Sequence, residues 1–316
     1  MAEFTRDELI ARLGLDPRRP HFAGLDLSGH DLSGLAFPRT NFRAAKLAGI
    51  NLSGAVLTGA DFFRADLRGA DLHEADLTGA DFGWSQLMEA NLSGARLAGS
   101  QFMDADLTEA DLLGAFLERA MLSMVNLSGA TLVGASVAGA DLSRTTLRAA
   151  DLTSANLRGV DLRLTDLTGA SLAGANLIEA NLRGANLTGA NLEGADLRGA
   201  IITATRLHRA RLANADLRAA DQSAGRQIFI FKSGHETFQT KCLAGQDGGR
   251  ISESFNRGAK DIGNFQFVAN TIDDIARFGM IQPVDHHIHP ANQFFGVDRI
   301  QGLGDRFDRY IGIEFA

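Results

Sequence analysis

Cysteine, tryptophan and tyrosine each occur once in this 316-residue chain, and proline only five times. A lone Cys242 excludes an intrachain disulfide framework and suits a reducing compartment. No uninterrupted apolar run approaches the ~18 residues of a membrane span. The opening stretch MAEFTRDELIARLG has neither the basic region nor the apolar region of a secretory leader. A soluble, cytoplasmic protein without membrane contact is expected. Charge of one sign is also missing: 38 acidic and 31 basic residues are intermixed for a net −7. That balance favours solubility and gives no reason to expect nucleic acid as a direct ligand.

What the chain has instead is glycine, 35 residues of it, and repetition. From Phe22 to Leu217 every position ending in 2 or 7 carries Leu, Phe, Val or Ile, forty consecutive pentads without an insertion. On an α-helix a five-residue period winds around the rod and makes no stripe, and on a flat strand an odd period alternates between faces. The pattern works if each pentad is a short extended stretch followed by a bend. In a unit such as Ala65-Asp66-Leu67 the Ala and Leu then face inward and the Asp outward.

The number of sides is also legible. Phe22, Phe42, Phe62, Phe82 and Phe102 recur every 20 residues, or four pentads, so a four-sided coil stacks all five in one internal column, with Phe37 as the core phenylalanine off it. Forty pentads make about ten coils, a rod of about 48 Å at the spacing of paired strands. Units such as ADLRG at 65–69, ANLSG at 90–94 and ANLTG at 185–189 resemble the pentapeptide-repeat family over residues 20–221. The resemblance implies an all-β solenoid, a right-handed quadrilateral β-helix, with nearest-neighbour stability along the rod.

A solenoid needs caps at its open ends. Residues 1–20 read as an N-terminal capping helix: Thr5 and Glu8 form a capping-box pattern, Phe4 can staple onto Leu9, and Leu9, Ile10 and Leu13 make an apolar face. The repeat occupies 21–221 and stops at Gln222. Residues 222–316, rich in Phe and Gly, read as a small C-terminal α+β domain, with strands at 228–231, 237–243, 262–270 and 310–315 and one helix from Thr271 to Phe278.

No enzymatic constellation emerges, so no catalytic residue and no cofactor is assigned. The Asp and Asn residues before each central Leu are read as local partners of the backbone beside a bend rather than as a catalytic or cation-binding ladder. His286, His287 and His289, with His235 and Cys242, are weak metal candidates because no further ligand follows at the spacing of a familiar motif. Gly248 and Gly249 lack the Lys-Ser/Thr ending of a phosphate-binding loop.

The remaining signal is apolar. Phe63, Trp84, Met103, Met121 and Met124 fall in outward slots on the phenylalanine-bearing side, with Met88 and Phe116 around the neighbouring corners. Large apolar side chains gathered outside a rod mark a contact surface. The leading expectation is a non-enzymatic scaffold that presents this surface to another protein or, as a homodimer, to a second copy. Two alternatives stand beside it. The resemblance implies the first, since some family members act as DNA mimics that bind DNA gyrase. Against it, this chain carries an extra domain and arginines such as Arg64, Arg68, Arg144, Arg148 and Arg163 among its carboxylates. The second is a metal-dependent or other activity in the C-terminal domain, targeted by the rod.

The inward assignment is testable at mid-rod. Leu142→Asp is expected to bury an unpaired carboxylate and to lower stability by several kcal/mol. Near-unchanged thermal unfolding, followed by circular dichroism, would refute it.

Overall fold

In a computed structural model of the chain, the described residues are 6–12 and 21–220. The chain divides into two units, Met1–Asp221 and Gln222–Ala316. The strands, helix, histidines and cysteine expected beyond residue 221 lie outside the described residues, as do Phe4, Thr5 and Leu13. Among the described residues no helix is long and apolar enough to cross a membrane.

Helix α1 spans Arg6–Arg12, with Asp7 and Glu8 in its first turn, where carboxylates suit the positive end of the helix dipole. Leu9 and Ile10 are buried. From residue 21 onward each pentad makes one short parallel bridge to the pentad twenty residues later, from His21 with Asn41 to Asp196 with Asp216. Four pentads therefore complete one turn, and residues 21–220 form an all-β solenoid without long strands. The four sides are named here by their pentads: the first side holds those starting at 21, 41, 61 and so on, the second those at 26 and 46, the third those at 31 and 51, and the fourth those at 36 and 56.

Hydrogen bonding explains why five residues suffice. In pentad 61–65 the Asp61 N–H donates to the Thr40 carbonyl of the preceding coil at 2.9 Å, while Phe62 and Arg64 donate to Asp81 and Gly83 of the following coil at 2.7 and 2.9 Å. Ala65 closes the turn onto the Phe62 carbonyl at 2.8 Å. That leaves the Phe63 N–H, which donates to the Asp61 side chain, Oδ1, at 3.0 Å. All five donors are satisfied, as buried backbone requires. The first-slot Asp or Asn repeats this contact along the rod, for example Asn91 to Ser93, Asp151 to Thr153 and Asn186 to Thr188. The local-partner reading of these residues is what the geometry shows.

The second and fifth slots fill the interior. Leu and Phe at the second slot and Ala at the fifth are buried through most of the rod. Phe22, Phe42, Phe62, Phe82 and Phe102 form one column with ring centroids 4.8–5.0 Å apart and nearly parallel planes. Phe37 meets Phe22 and Phe42 edge-on at 5.5 and 6.0 Å, so it braces the start of the column from the adjacent side. Several Ser and Thr residues that replace the fifth-slot Ala bond a backbone carbonyl through the hydroxyl: Ser85 on Phe82 and Ser100 on Leu97 at 2.6 Å, Thr165 on Leu142 at 2.8 Å.

The fourth slot turns the corner. It adopts positive φ in all forty pentads, 21 times with Gly and 19 times with another residue, and none of those 19 is β-branched. This is the third residue of a β-turn closed by the fifth-slot N–H, where a side chain is strained. Gly134 sits at φ +65° with open space around any added Cβ, so Gly134→Val isolates the backbone cost and is expected to lower stability by about 1–2 kcal/mol. Ala149, at φ 54°, is the converse case, and Ala149→Gly is expected to add up to about 1 kcal/mol. Chemical denaturation of the two variants measures both signs.

Candidate interaction surface

The outer surface is built from the first, third and fourth slots, and most of it is polar and internally paired. Arginines reach carboxylates within a pentad, as in Arg68–Asp66 and Arg198–Asp196 at 2.7 Å and Arg218–Asp216 at 2.6 Å. Others cross between coils, as in Arg43–Asp61 at 3.0 Å, Arg148–Asp166 at 2.6 Å and Arg211–Glu193 at 2.9 Å. The Arg68 guanidinium beside Asp66 holds that carboxyl below the ordinary range, and Arg198 and Arg218 do the same for Asp196 and Asp216. Among the described residues no group of His, Cys, Asp and Glu is arranged to hold a metal ion.

Against this background the apolar side chains stand out. Trp84, Met103, Met121 and Met124 expose between 47% and 58% of their surface, all on the first side and within three successive coils. Trp84 and Met103 belong to neighbouring coils joined by the Trp84 N–H to Met103 carbonyl bond at 2.8 Å. Met103 occupies a third slot and Trp84 and Met124 fourth slots, so these three line the corner between the first and second sides, while Met121 sits at the start of the first side. Phe116, half exposed, is on the fourth side.

Two expected members differ. Phe63 is half-buried, because the Arg43 guanidinium lies 4.2 Å from its ring centre and its ring extends along the rod over Gly83. A Cβ at residue 83 would stand 3.0 Å from the Phe63 ring, so the glycine there makes room for it. Met88, on the second side, is likewise half buried. Conversely, Val56, Leu113 and Leu164 are exposed and were not among the expected residues. The signal for Leu164 was present in DLRLT at 161–165, where a leucine stands in the glycine slot. His286, His287 and His289 lie outside the described residues.

These apolar residues occupy slots in which the fold gains from something else. Phe116 and Met121 replace the first-slot Asp or Asn and offer no oxygen to the third N–H of their pentads. Trp84, Met124 and Leu164 replace the fourth-slot Gly and hold φ of 58°, 63° and 59°. Neither choice helps the solenoid form.

The pentapeptide-repeat family model, described as pentapeptide repeats, matches in eight copies, most of them overlapping, from residues 37–73 to 165–203. Among solved structures, the chain is similar to HetL, a pentapeptide repeat protein involved in heterocyst differentiation regulation from the cyanobacterium Nostoc sp. strain PCC 7120. The identity is 31%, over 68% of this chain and 98% of HetL, with a TM-score of 0.41. It is similar to a pentapeptide repeat protein from the Arabidopsis thaliana thylakoid lumen at 39% identity over 34% of this chain and 71% of that one, TM-score 0.22. It is similar also to full-length QnrB1, a plasmid-mediated fluoroquinolone resistance protein, at 20% identity over 64% and 85%, TM-score 0.22. No curated protein matches the chain.

The paired carboxylates set an acid limit. Asp66, Asp196 and Asp216 have pKa values lowered in the folded state, chiefly by hydrogen bonds from Arg68, Arg198 and Arg218. Their contribution is complete above the unfolded value of ~3.9. It is lost as pH falls from there through the folded values. Urea unfolding is expected to show stability level from pH 7 to about 5 and declining below about 4. Replacing all three arginines by Met should flatten that decline.

Proposed function

The chain belongs to the pentapeptide-repeat family, and from that premise we propose that it is a non-enzymatic interaction rod: a right-handed solenoid of ten coils, closed at its start by α1, that binds a protein through its first side and the corner which that side makes with the second. One observation carries this reading. Trp84, Met103, Met121 and Met124 place large exposed apolar side chains at a surface where most third, first and fourth slots are polar or Gly. Trp supplies a rigid anchor and Met an adaptable one, the combination suited to the centre of a protein interface.

The charge pattern weighs against imitation of DNA. Residues 21–120 carry 14 acidic and 7 basic side chains, but residues 121–220 carry 8 and 10. A DNA-like rod needs a continuous anionic field of about one charge per 1.7 Å, and here arginines neutralise many of the carboxylates that would supply it.

The test is retention of protein on the immobilised full chain. Wild type is expected to retain a protein, whether another polypeptide or an untagged copy of itself, that the Trp84→Ser/Met121→Ser double variant releases. Equal retention by the two proteins, both folded by circular dichroism, would overturn the assignment of this surface.

A further inference from the structure

Resting on that reading of the surface, we propose that its occupant is a second copy of the same chain, lying antiparallel alongside the first. The fourth-slot corner column between the first and second sides reads Trp84, Asp104, Met124, Arg144, Leu164 over five successive coils. The column is self-complementary about Met124. A two-fold axis through that residue sets Trp84 against the partner's Leu164, Asp104 against the partner's Arg144, and Met124 against the partner's Met124. The reciprocal contacts follow, as an isologous interface demands.

The spacing permits it. Coils repeat at the 4.8–5.0 Å of the phenylalanine column, so Trp84 and Leu164 lie about 10 Å to either side of Met124. The charges are available. Asp104 and Arg144 are both exposed, and neither is in an ion pair among the described residues, unlike many of their neighbours. The broader field agrees, because antiparallel packing brings the net −7 of residues 21–120 towards the net +2 of residues 121–220.

Backbone strain adds an independent argument. All five residues hold positive φ between 55° and 63°. From Ala44 to Leu164 this column runs through seven successive coils without Gly, whereas none of the other three fourth-slot columns goes beyond two. A corner that forgoes Gly repeatedly, and does so with apolar groups alternating with opposite charges, is organised for a contact outside its own chain.

Sedimentation of the full chain over a concentration series tests the pairing. Wild type should form a species of twice the chain mass. Asp104→Arg and Arg144→Asp, each setting like charges opposite one another, should weaken it at least about tenfold. The double reversal D104R/R144D should restore it, and mixing the two single variants should give a heterodimer stronger than either homodimer. Unchanged thermal unfolding of the single variants separates interface effects from folding. A wild type that stays monomeric across the series, or a dimer indifferent to both single reversals, overturns the proposal. If the monomeric chain still retains another protein and loses it on Trp84→Ser/Met121→Ser, self-pairing falls while the interaction-rod reading stands.

Discussion

Satisfying the outward third N–H, which a first-slot Asp or Asn does in most pentads, is the constraint on which the rest of this structure depends. Four of the five donors find carbonyls, either in adjacent coils or across the turn, but the third faces outward at the corner and has no carbonyl within reach. A carboxylate or amide two residues earlier closes the account, as Asp61 does for Phe63 and Asp141 for Ser143. The prevalence of Asp and Asn before the central Leu is therefore a backbone requirement. It also explains the many carboxylates on the outside, and in turn the arginines that pair with them. A surface that looks rich in potential ligands is largely committed to holding up its own chain.

The interior follows from the same geometry. With one side chain per pentad directed to the axis at the second slot and one at the fifth, each coil contributes four large and four small inward groups, and these repeat vertically at about 4.8 Å. Stacked phenylalanines fit that repeat in a parallel, offset arrangement, so the column from Phe22 to Phe102 extends without a break. Each coil touches only its neighbours, which makes stability local and lets the outer slots vary with little cost to the core.

That freedom is what makes the outer slots informative. A first-slot Met or Phe abandons a hydrogen bond, and a fourth-slot Trp, Met or Leu accepts a strained backbone. Each departure costs on the order of 1 kcal/mol, and no gain within the coil offsets it. Trp84, Met121, Met124, Phe116 and Leu164 are such departures. Their meaning is found in the relation between coils, where residues twenty apart become neighbours along a corner.

Much of the solenoid was readable from the sequence because a strict five-residue period admits few geometries, and the 20-residue recurrence of Phe22 to Phe102 selected four sides. The inward and outward slots followed from alternation alone. The candidate surface was only partly readable. Phe63 is drawn down over Gly83 beneath Arg43, a contact between coils that no local pattern announces. Leu164 stands forty residues from Met124 in the chain and two coils away in space, so its place in the corner column appears only once the coils are stacked. Sequence by itself determined the repeat, the core and the backbone role of Asp and Asn, because these are set within one pentad and its period. Tertiary structure decided which side chains share a corner and which remain exposed, because exposure depends on what the neighbouring coil brings alongside.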